Sequence, residues 1–351
     1  MKPWDSHILS TILCPLSLLY GLGMAVRSAL YRRGVLPTHA LDVPVISVGN
    51  LAAGGIGKTP LVAMLARELS GKGLRVVVSS RGYKRKHCQG EIVSDGEAIL
   101  LPPEASGDEP AMLARRLKGV PVVVGKNRHR VCSRALSAYP CDVLILDDSF
   151  QHIRLHRNCD IVLLDANDPF GNGRLLPSGP LREPRTALKR ADLIVLSRAE
   201  PEQDVPSKIQ QIGRWTDAPV VACRHRATGW MSHADETIHP IDSLRGRRVA
   251  AFAGIGSPDA FRRTLQQVGV HIAWFQTFPD HHWYAPDELL SISDQAKKAG
   301  AEALVTTEKD GVRIPQQFVD DPSLYILRIE AEVISGRDHL NRVLTRVMNL
   351  D

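Results

Sequence analysis

The stretch SVGNLAAGGIGKTP at residues 47–60 constrains this chain more than any other. A glycine-rich turn that presents backbone N–H groups to an anion needs a strand running into it and a helix starting out of it. Both are present as patterns. VPVISVGN (43–50) is a continuous apolar run, and LVAMLARELSGKG (61–73) is amphipathic and closed by Gly71 and Gly73, so a helix is expected from about Pro60. Gly57, Lys58 and Thr59 fill the last three places of the phosphate-loop pattern G-x-x-x-x-G-K-[ST], but Ala52 stands where its first glycine belongs. Gly54 and Gly55 can supply the turn two residues later. The expectation is a nucleotide phosphate cradle at Ala52, Ala53, Gly54, Gly55, Ile56, Gly57, Lys58 and Thr59. Lys58 would reach the β- and γ-phosphates, and the Thr59 hydroxyl would hold Mg2+. A glycine-rich connection that holds no nucleotide is the plainer alternative.

An acidic residue at the end of a buried strand is the second requirement of such a site, and VLILDD supplies Asp147 and Asp148. One or both would hold Mg2+, and ATP or GTP with magnesium follows from the two motifs together. Further unalternating apolar runs at 74–80, 120–125, 160–166 and 191–197 read as strands covered on both faces, as in a parallel sheet with helices between. From about residue 200 the pattern loosens, and a second strand–helix series begins with RRVAAFAGIG, followed by HIAWFQTF and AEALVTTEKD. The expected fold class is α/β: a P-loop NTPase core with a mostly parallel sheet, a second smaller α/β domain and an N-terminal membrane-associated helix. The expected limits are 1–34 for the N-terminal helix, 35–225 for the core domain, 226–246 for a linker and 247–351 for the smaller domain with a C-terminal helix.

The membrane expectation rests on residues 8–26, ILSTILCPLSLLYGLGMAV, which carry no charge. As one helix they would extend roughly 28 Å, close to the thickness of a bilayer core. Arg27, Arg32 and Arg33 follow, which would leave the rest of the chain on the cytoplasmic side. Spanning and interfacial attachment both remain open, as do a cleaved signal peptide and an apolar helix packed on the domain. The net charge of +6 suits a phosphorylated substrate, an anionic lipid surface or nucleic acid, or is a solvated surface. No aromatic stacking platform or helix-turn-helix pattern supports nucleic acid, and none is expected as a partner. The six cysteines include no C-x-x-C pair, so neither a disulfide framework nor a zinc site is expected.

The longer phrases SVGNLAAGGIGKTP, SRGYKR, GDEP, DDSFQH, DIVLLDANDPFGNGRLLPSGPLREP, AGIGSPDAF, FPDHHWY and TEKDGVR occur in an order that resembles the tetraacyldisaccharide 4'-kinase (lipid A 4'-kinase) family, over roughly residues 10 to 315. That family resembles this chain in spelling the loop GGxGKTP without a glycine at position 52. The resemblance implies a kinase that transfers phosphate from ATP to the 4'-hydroxyl of an acylated glucosamine disaccharide 1-phosphate, giving lipid IVA, on the cytoplasmic side of the inner membrane; a monomer is expected. It implies Asp108 of GDEP as catalytic aspartate and His281 of FPDHH as the histidine supporting it, with Lys58 and Asp148 completing the catalytic set. His282 ranks behind His281. Tyr83, Arg128 and Glu183 fall at family-matching places and are expected to bind substrate, Glu183 through organisation of the site. Gln151, His152, Thr307, Glu308, Lys309 and Asp310 are weaker candidates around the nucleotide. Serine in DDSFQH and glycine in TEKDGVR depart from the commoner pattern without removing a ligand. A membrane-docked partitioning or regulatory ATPase is the alternative from another class, and phosphate transfer to lipid rather than to water separates the two.

Overall fold

The computed structural model describes residues 4, 6–82, 85, 91–200, 204–315, 318 and 323–348. Two helices open the chain, α1 (His7–Ile12) and α2 (Cys14–Arg32), before β1 (Val45–Asn50) and α3 (Lys58–Gly71). There follow β2 (Val76–Ser80), β3 (Ile92–Ser94), α4 (Pro103–Ser106), α5 (Asp108–Arg116), β4 (Val122–Val124), α6 (Arg128–Ala138), β5 (Val143–Asp147), β6 (Cys159–Asp165), β7 (Leu193–Ser197) and α7 (Val205–Gly213). The second half comprises β8 (Val220–Ser232), β9 (Ile238–Pro240), β10 (Arg248–Ala253), α8 (Pro258–Gln267), β11 (His271–Thr277), α9 (Pro286–Lys298), β12 (Ala303–Thr307), α10 (Glu308–Gly311), β13 (Leu324–Ser335) and α11 (Arg337–Met348).

The strands form one continuous sheet in the order β11-β10-β12-β13-β8-β7-β6-β1-β5-β2-β4-β3, with β9 on the far part of β8. Pairing is parallel except at β13/β8, β8/β9 and β3/β4. Strands β1, β2, β5 and β7 are buried along their whole length, which is why they read as continuous apolar runs. Helices cover both faces, with separate cores around Leu65 and Ile145, around Phe150 and Leu164, and around Leu144 and Val77 in the larger half. The smaller half has its own two cores, around Val249 and Phe261 and around Phe252 and Leu289.

Three departures from the sequence expectation have physical causes. Residues 220–232 form strand β8, which crosses the expected 225/226 boundary and takes up the start of the expected linker. Its far part pairs with β13 rather than with an apolar neighbour. Arg224 there bonds Glu332 across the ribbon at 2.7 Å, so the segment is polar yet extended. Helix α11 was expected with the smaller domain, yet Leu340, Val343, Leu344 and Val347 join the core of the larger one. The N-terminal segment is two helices that break at Leu13, just ahead of Pro15, instead of one span. Among the described residues no helix is long and apolar enough to cross a membrane. Ser10, Ser17 and Tyr20 instead tie α1 and α2 to the 175–182 loop, through bonds to the carbonyls of Ser178 (2.6 Å), Leu175 (2.8 Å) and Arg182 (2.8 Å).

The approach of β1 to the turn after β5 generates a prediction. A Cβ built on Gly49 would lie 2.6 Å from the main-chain nitrogen of Phe150. Gly49→Ala should therefore destabilise the protein by about 1–3 kcal/mol, read as a lower thermal midpoint. An unchanged midpoint would mean that β1 and the 148–150 turn separate freely.

Candidate functional site

The C-terminal ends of β1, β5, β6 and β7 open onto a cleft of about 630 Å³ between the two halves of the molecule. Residues 54–60 line one wall, and Ile255, Gly256, Asp280, His281, Thr307, Glu308 and Lys309 of the smaller half line the other. The loop explains why Ala52 suffices. Ala52 forms a β-bridge with Leu181, and the Ala53 N–H donates to the Pro180 carbonyl at 2.7 Å, so this part of the loop is tied down in ordinary backbone geometry. The left-handed conformations fall at Gly54 (φ 134°) and Gly57 (φ 88°), and the second of these starts α3.

Side chains from β7 and β8 brace the loop from beneath. The Ser197 hydroxyl donates to the Ile56 carbonyl, and the Arg198 guanidinium donates to the Gly55 carbonyl and pairs with Asp165 at 3.1 Å. Because the Ser197 proton is committed, its oxygen accepts from His225 Nε2 at 3.2 Å, which assigns the neutral Nε2–H tautomer to His225. Burial, reinforced by Arg198, pushes His225 down to about 4. Its ring sits against Gly57, where an added Cβ would lie 2.0 Å from Nε2.

Asp147 ends β5 in register with Val48 of β1, and Asp148 follows it in a left-handed turn (φ 50°). Lys58 Nζ is 3.4 Å from Asp148, which also accepts from Arg182 at 3.0 Å. Asp148 is held below the usual carboxylate range, since Lys58 and Arg182 outweigh the effect of its burial. Asp147 behaves oppositely: burial, then Glu109 and Asp148, push it up to about 7. One of its oxygens accepts from Ser80 at 3.3 Å, while Oδ1 is buried without a hydrogen-bond partner. An orphaned carboxylate oxygen fits a cation whose charge would satisfy it. No cluster of three or more His, Cys, Asp or Glu side chains able to hold a metal occurs among the described residues. Thr59 and Asp147 are thus the groups open to a Mg2+ taken with nucleotide phosphates, Asp148 being paired with Lys58.

Across the cleft, His281 Nδ1 donates to Asp108 Oδ2 at 2.7 Å. Asp108 begins α5 in the larger half and His281 belongs to the smaller half, so this bond joins the two. Lys309 Nζ lies 3.4 Å from His281 Nε2, 3.6 Å from Glu109 and 3.8 Å from Asp108. Burial would push Asp108 up, but the His281 hydrogen bond, Lys309 and Arg313 together hold it below the usual range, as a carboxylate. His281 has a left-handed backbone (φ 67°), and its N–H bonds the Gly254 carbonyl. Arg313 is fully buried and donates to the carbonyls of Lys309, His282 and Gly254, fastening the three loops that shape this corner.

The sequence-expected residues divide by position. Lys58, Thr59, Asp148, Gln151, His281, Thr307, Glu308 and Lys309 line the cleft together with Gly54, Gly55, Ile56 and Gly57. Asp108 sits behind His281, only 4% exposed. Arg128 and Glu183 are buried off the cleft. Arg128 donates to the Asp147 carbonyl at 2.5 Å beneath the strand end, and Glu183 pairs with Arg190 at 3.0 Å. His282 turns away to Glu288 at 3.1 Å, and Asp310 is enclosed by Gly254, Tyr284 and Arg313. Tyr83 lies outside the described residues. Sequence reasoning missed Arg116, Arg182, Arg198 and His225, all of which line the cleft. Arg182 stood in the quoted LREP phrase; the others carried no motif signal.

Two measurements follow from the loop. Gly57→Ala should abolish binding of a fluorescent ATP analogue, because the added Cβ meets both the left-handed backbone and the His225 ring. Gly55→Ala, with open space around its Cβ, should retain binding. Equal affinities would contradict the brace. His225 is held neutral well below its ordinary 6.5, so the stability it contributes is present above pH 6.5 and is lost as pH falls toward 4. The thermal midpoint of His225→Gln should accordingly fall less across that window than that of the native protein; parallel curves would contradict the assignment.

The chain is similar to known proteins over nearly its whole length. Residues 9–349 match the family described as tetraacyldisaccharide-1-P 4'-kinase. The tetraacyldisaccharide 4'-kinase of Anaeromyxobacter sp. (strain K) is 44% identical over 326 residues, covering 91% of this chain and 86% of that protein. The one from Geobacter sulfurreducens is 43% identical over 313 residues, covering 88% of this chain and 85% of that protein. Among solved structures, LpxK from Aquifex aeolicus in complex with ATP superposes with a TM-score of 0.80 at 34% identity, covering 97% of this chain and 99% of that one. With a family match over nearly its whole length, close relatives and a shared fold, the chain belongs to the tetraacyldisaccharide-1-P 4'-kinase family.

Proposed function

We propose that this chain transfers the γ-phosphate of ATP to the 4'-hydroxyl of tetraacyldisaccharide 1-phosphate, giving lipid IVA at the cytoplasmic face of the inner membrane. The observation that carries this reading is the single cleft in which the phosphate loop of one half faces the Asp108–His281 pair closed from the other. A hydrolytic partitioning ATPase has no need of a buried acid–histidine pair reserved for an acceptor hydroxyl.

The reaction is an in-line displacement that depends on positioning and charge stabilisation more than on covalent chemistry. Backbone N–H groups of residues 54–59 cradle the phosphates at the start of α3. Lys58 leaves Asp148 for the β- and γ-phosphates, and Arg182 keeps Asp148 neutralised when it does. Mg2+, bound by Thr59 and Asp147, would neutralise charge on the phosphate oxygens. The acceptor proton goes to the Asp108–His281 pair, with His281 presenting it to the cleft and Asp108 orienting the ring from behind. Arg128 and Glu183 act through the backbone they hold: Arg128 fixes the end of β5, and Glu183 with Arg190 fixes the segment that carries Arg182.

The acylated end of the substrate stays in lipid, so the enzyme must reach it at the surface. Ile8, Ile12, Leu16, Leu18, Leu19, Leu22 and Val26 are exposed along α1 and α2, with Arg32 and Arg33 exposed at the end of the second helix, while Arg27 turns inward to the Gln151 carbonyl. An apolar stripe with basic residues at its rim suits burial in the headgroup region of an anionic bilayer rather than passage through it. The opposite side of the same helices holds the 175–182 loop beside the cleft, so docking would bring the cleft to the lipid surface.

Incubation with γ-labelled ATP, Mg2+ and detergent-dispersed tetraacyl disaccharide 1-phosphate tests the activity. Label should appear on the lipid; label released only as free phosphate, whether or not lipid is present, would favour the membrane ATPase. Replacing Leu16, Leu18, Leu19 and Leu22 with serine should lower flotation with anionic vesicles by about tenfold or more while leaving ATP binding intact. Undiminished flotation would remove these helices from the membrane contact.

A further inference from the structure

Helix α5 begins with Asp108 in the candidate site and ends at Arg116, and both ends meet α10, the short helix of the smaller half. At its start, Asp108 and Glu109 face Lys309. At its end, Arg116 Nε donates to Glu308 Oε1 at 2.8 Å, and Arg116 Nη2 donates to Glu308 Oε2 and to the Ile329 carbonyl. Glu308 Oε2 also accepts from the Ile329 N–H at 3.2 Å, and Arg328 lies 3.7 Å from Glu308 Oε1. The Arg116 and Glu308 side chains are only 3% and 9% exposed.

The charges are arranged crosswise. Helix α5 is acidic at its start and basic at its end, and the adjacent residues Glu308 and Lys309 answer each end with the opposite sign. Slipping or rotating α5 against α10 would set like charges together or leave Arg116 buried without its partner, both costly. Apolar packing at this seam is slight: one small cluster of Ala111, Met112 and Val312. A buried ion pair contributes little net stability compared with apolar residues of similar size, whereas a bidentate pair fixes geometry tightly.

We propose that Arg116 and Glu308 are positioning residues for phosphoryl transfer: their pair sets the register of α5 against the smaller half and so places Asp108 against His281. The inference rests on the reading of Asp108 and His281 as the working pair. Neither Arg116 nor Glu308 touches the reacting atoms in this role; they act through α5 and α10.

The test uses the full-length protein and the variants E308Q, H281Q, E308Q/H281Q and R116M/E308L. E308Q should lower kcat by about a hundredfold, the scale of a misplacement of about 1 Å, with KM for ATP little changed. Because Glu308 acts through the pair, adding H281Q to E308Q should cost far less than H281Q costs alone. R116M/E308L replaces the ion pair with apolar side chains and should keep the native thermal midpoint yet remain slow, which covers the case in which E308Q alone folds poorly. Native turnover in R116M/E308L, or losses that multiply in E308Q/H281Q, would overturn the positioning role. Normal turnover in H281Q would instead overturn the reading of the working pair on which it rests.

Discussion

Strands β8 and β13 pair antiparallel from Ala222–Ser335 to Ser232–Tyr325, and the site depends on that ribbon. Its two ends serve different sheets: the start of β8 pairs with β7 of the larger half, and the start of β13 pairs with β12 of the smaller. The ribbon makes one sheet of two and leaves a cleft beside it. It also carries functional groups of its own. Because side chains alternate along a strand, Arg224 and Arg226 turn to Glu332 while His225 between them turns to the phosphate loop. Strand β13 supplies Leu327 and Ile329 to the cleft wall.

On this frame the charged groups form a chain across the cleft. Asp165 and Arg198 hold the loop, Lys58 reaches Asp148, and burial, reinforced by Glu109, raises the pKa of Asp147. Glu109 then meets Lys309, which completes the group around Asp108 and His281. A phosphate entering this chain would draw Lys58 from Asp148, and a divalent cation would meet the unpartnered Oδ1 of Asp147, while the groups around both are already held in place. Such preorganisation is what positions a phosphoryl group without reorganisation at the moment of transfer. The low exposure of Asp108 follows from the same closure: His281, Lys309 and Arg313 of the smaller half surround it, and His281 and Lys309 face the cleft.

Much of this was legible in the sequence because it is encoded locally. Strands buried on both faces announce themselves as apolar runs, and the loop with its lysine and threonine is a contiguous pattern. The missing glycine was readable only in part: Gly54 takes a left-handed position as expected, but the other falls at Gly57 rather than Gly55, and nothing local reveals that Ala52 is secured by a bridge to Leu181, a residue far along the chain. Strand β8 was read as irregular because its stability comes from cross-strand charge pairs and not from an alternating apolar face. Asp108 and His281 were chosen through resemblance, since a lone acid and a lone histidine have no periodic signature. For the same reason Arg116, Arg198 and His225 went unread. Which of the open readings holds for the two apolar helices at the start was not legible, because composition does not reveal that Ser10, Ser17 and Tyr20 bind a loop of the folded domain.

The central claim is that catalysis is completed by a contact between the two halves, with Asp108 and His281 acting as one unit. A double-mutant cycle on kcat for lipid phosphorylation, with D108N, H281Q and the double variant, tests it most directly. Each single variant should lose about as much as the double, by at least about a hundredfold. Losses that multiply, or a native rate in either single variant, would contradict it.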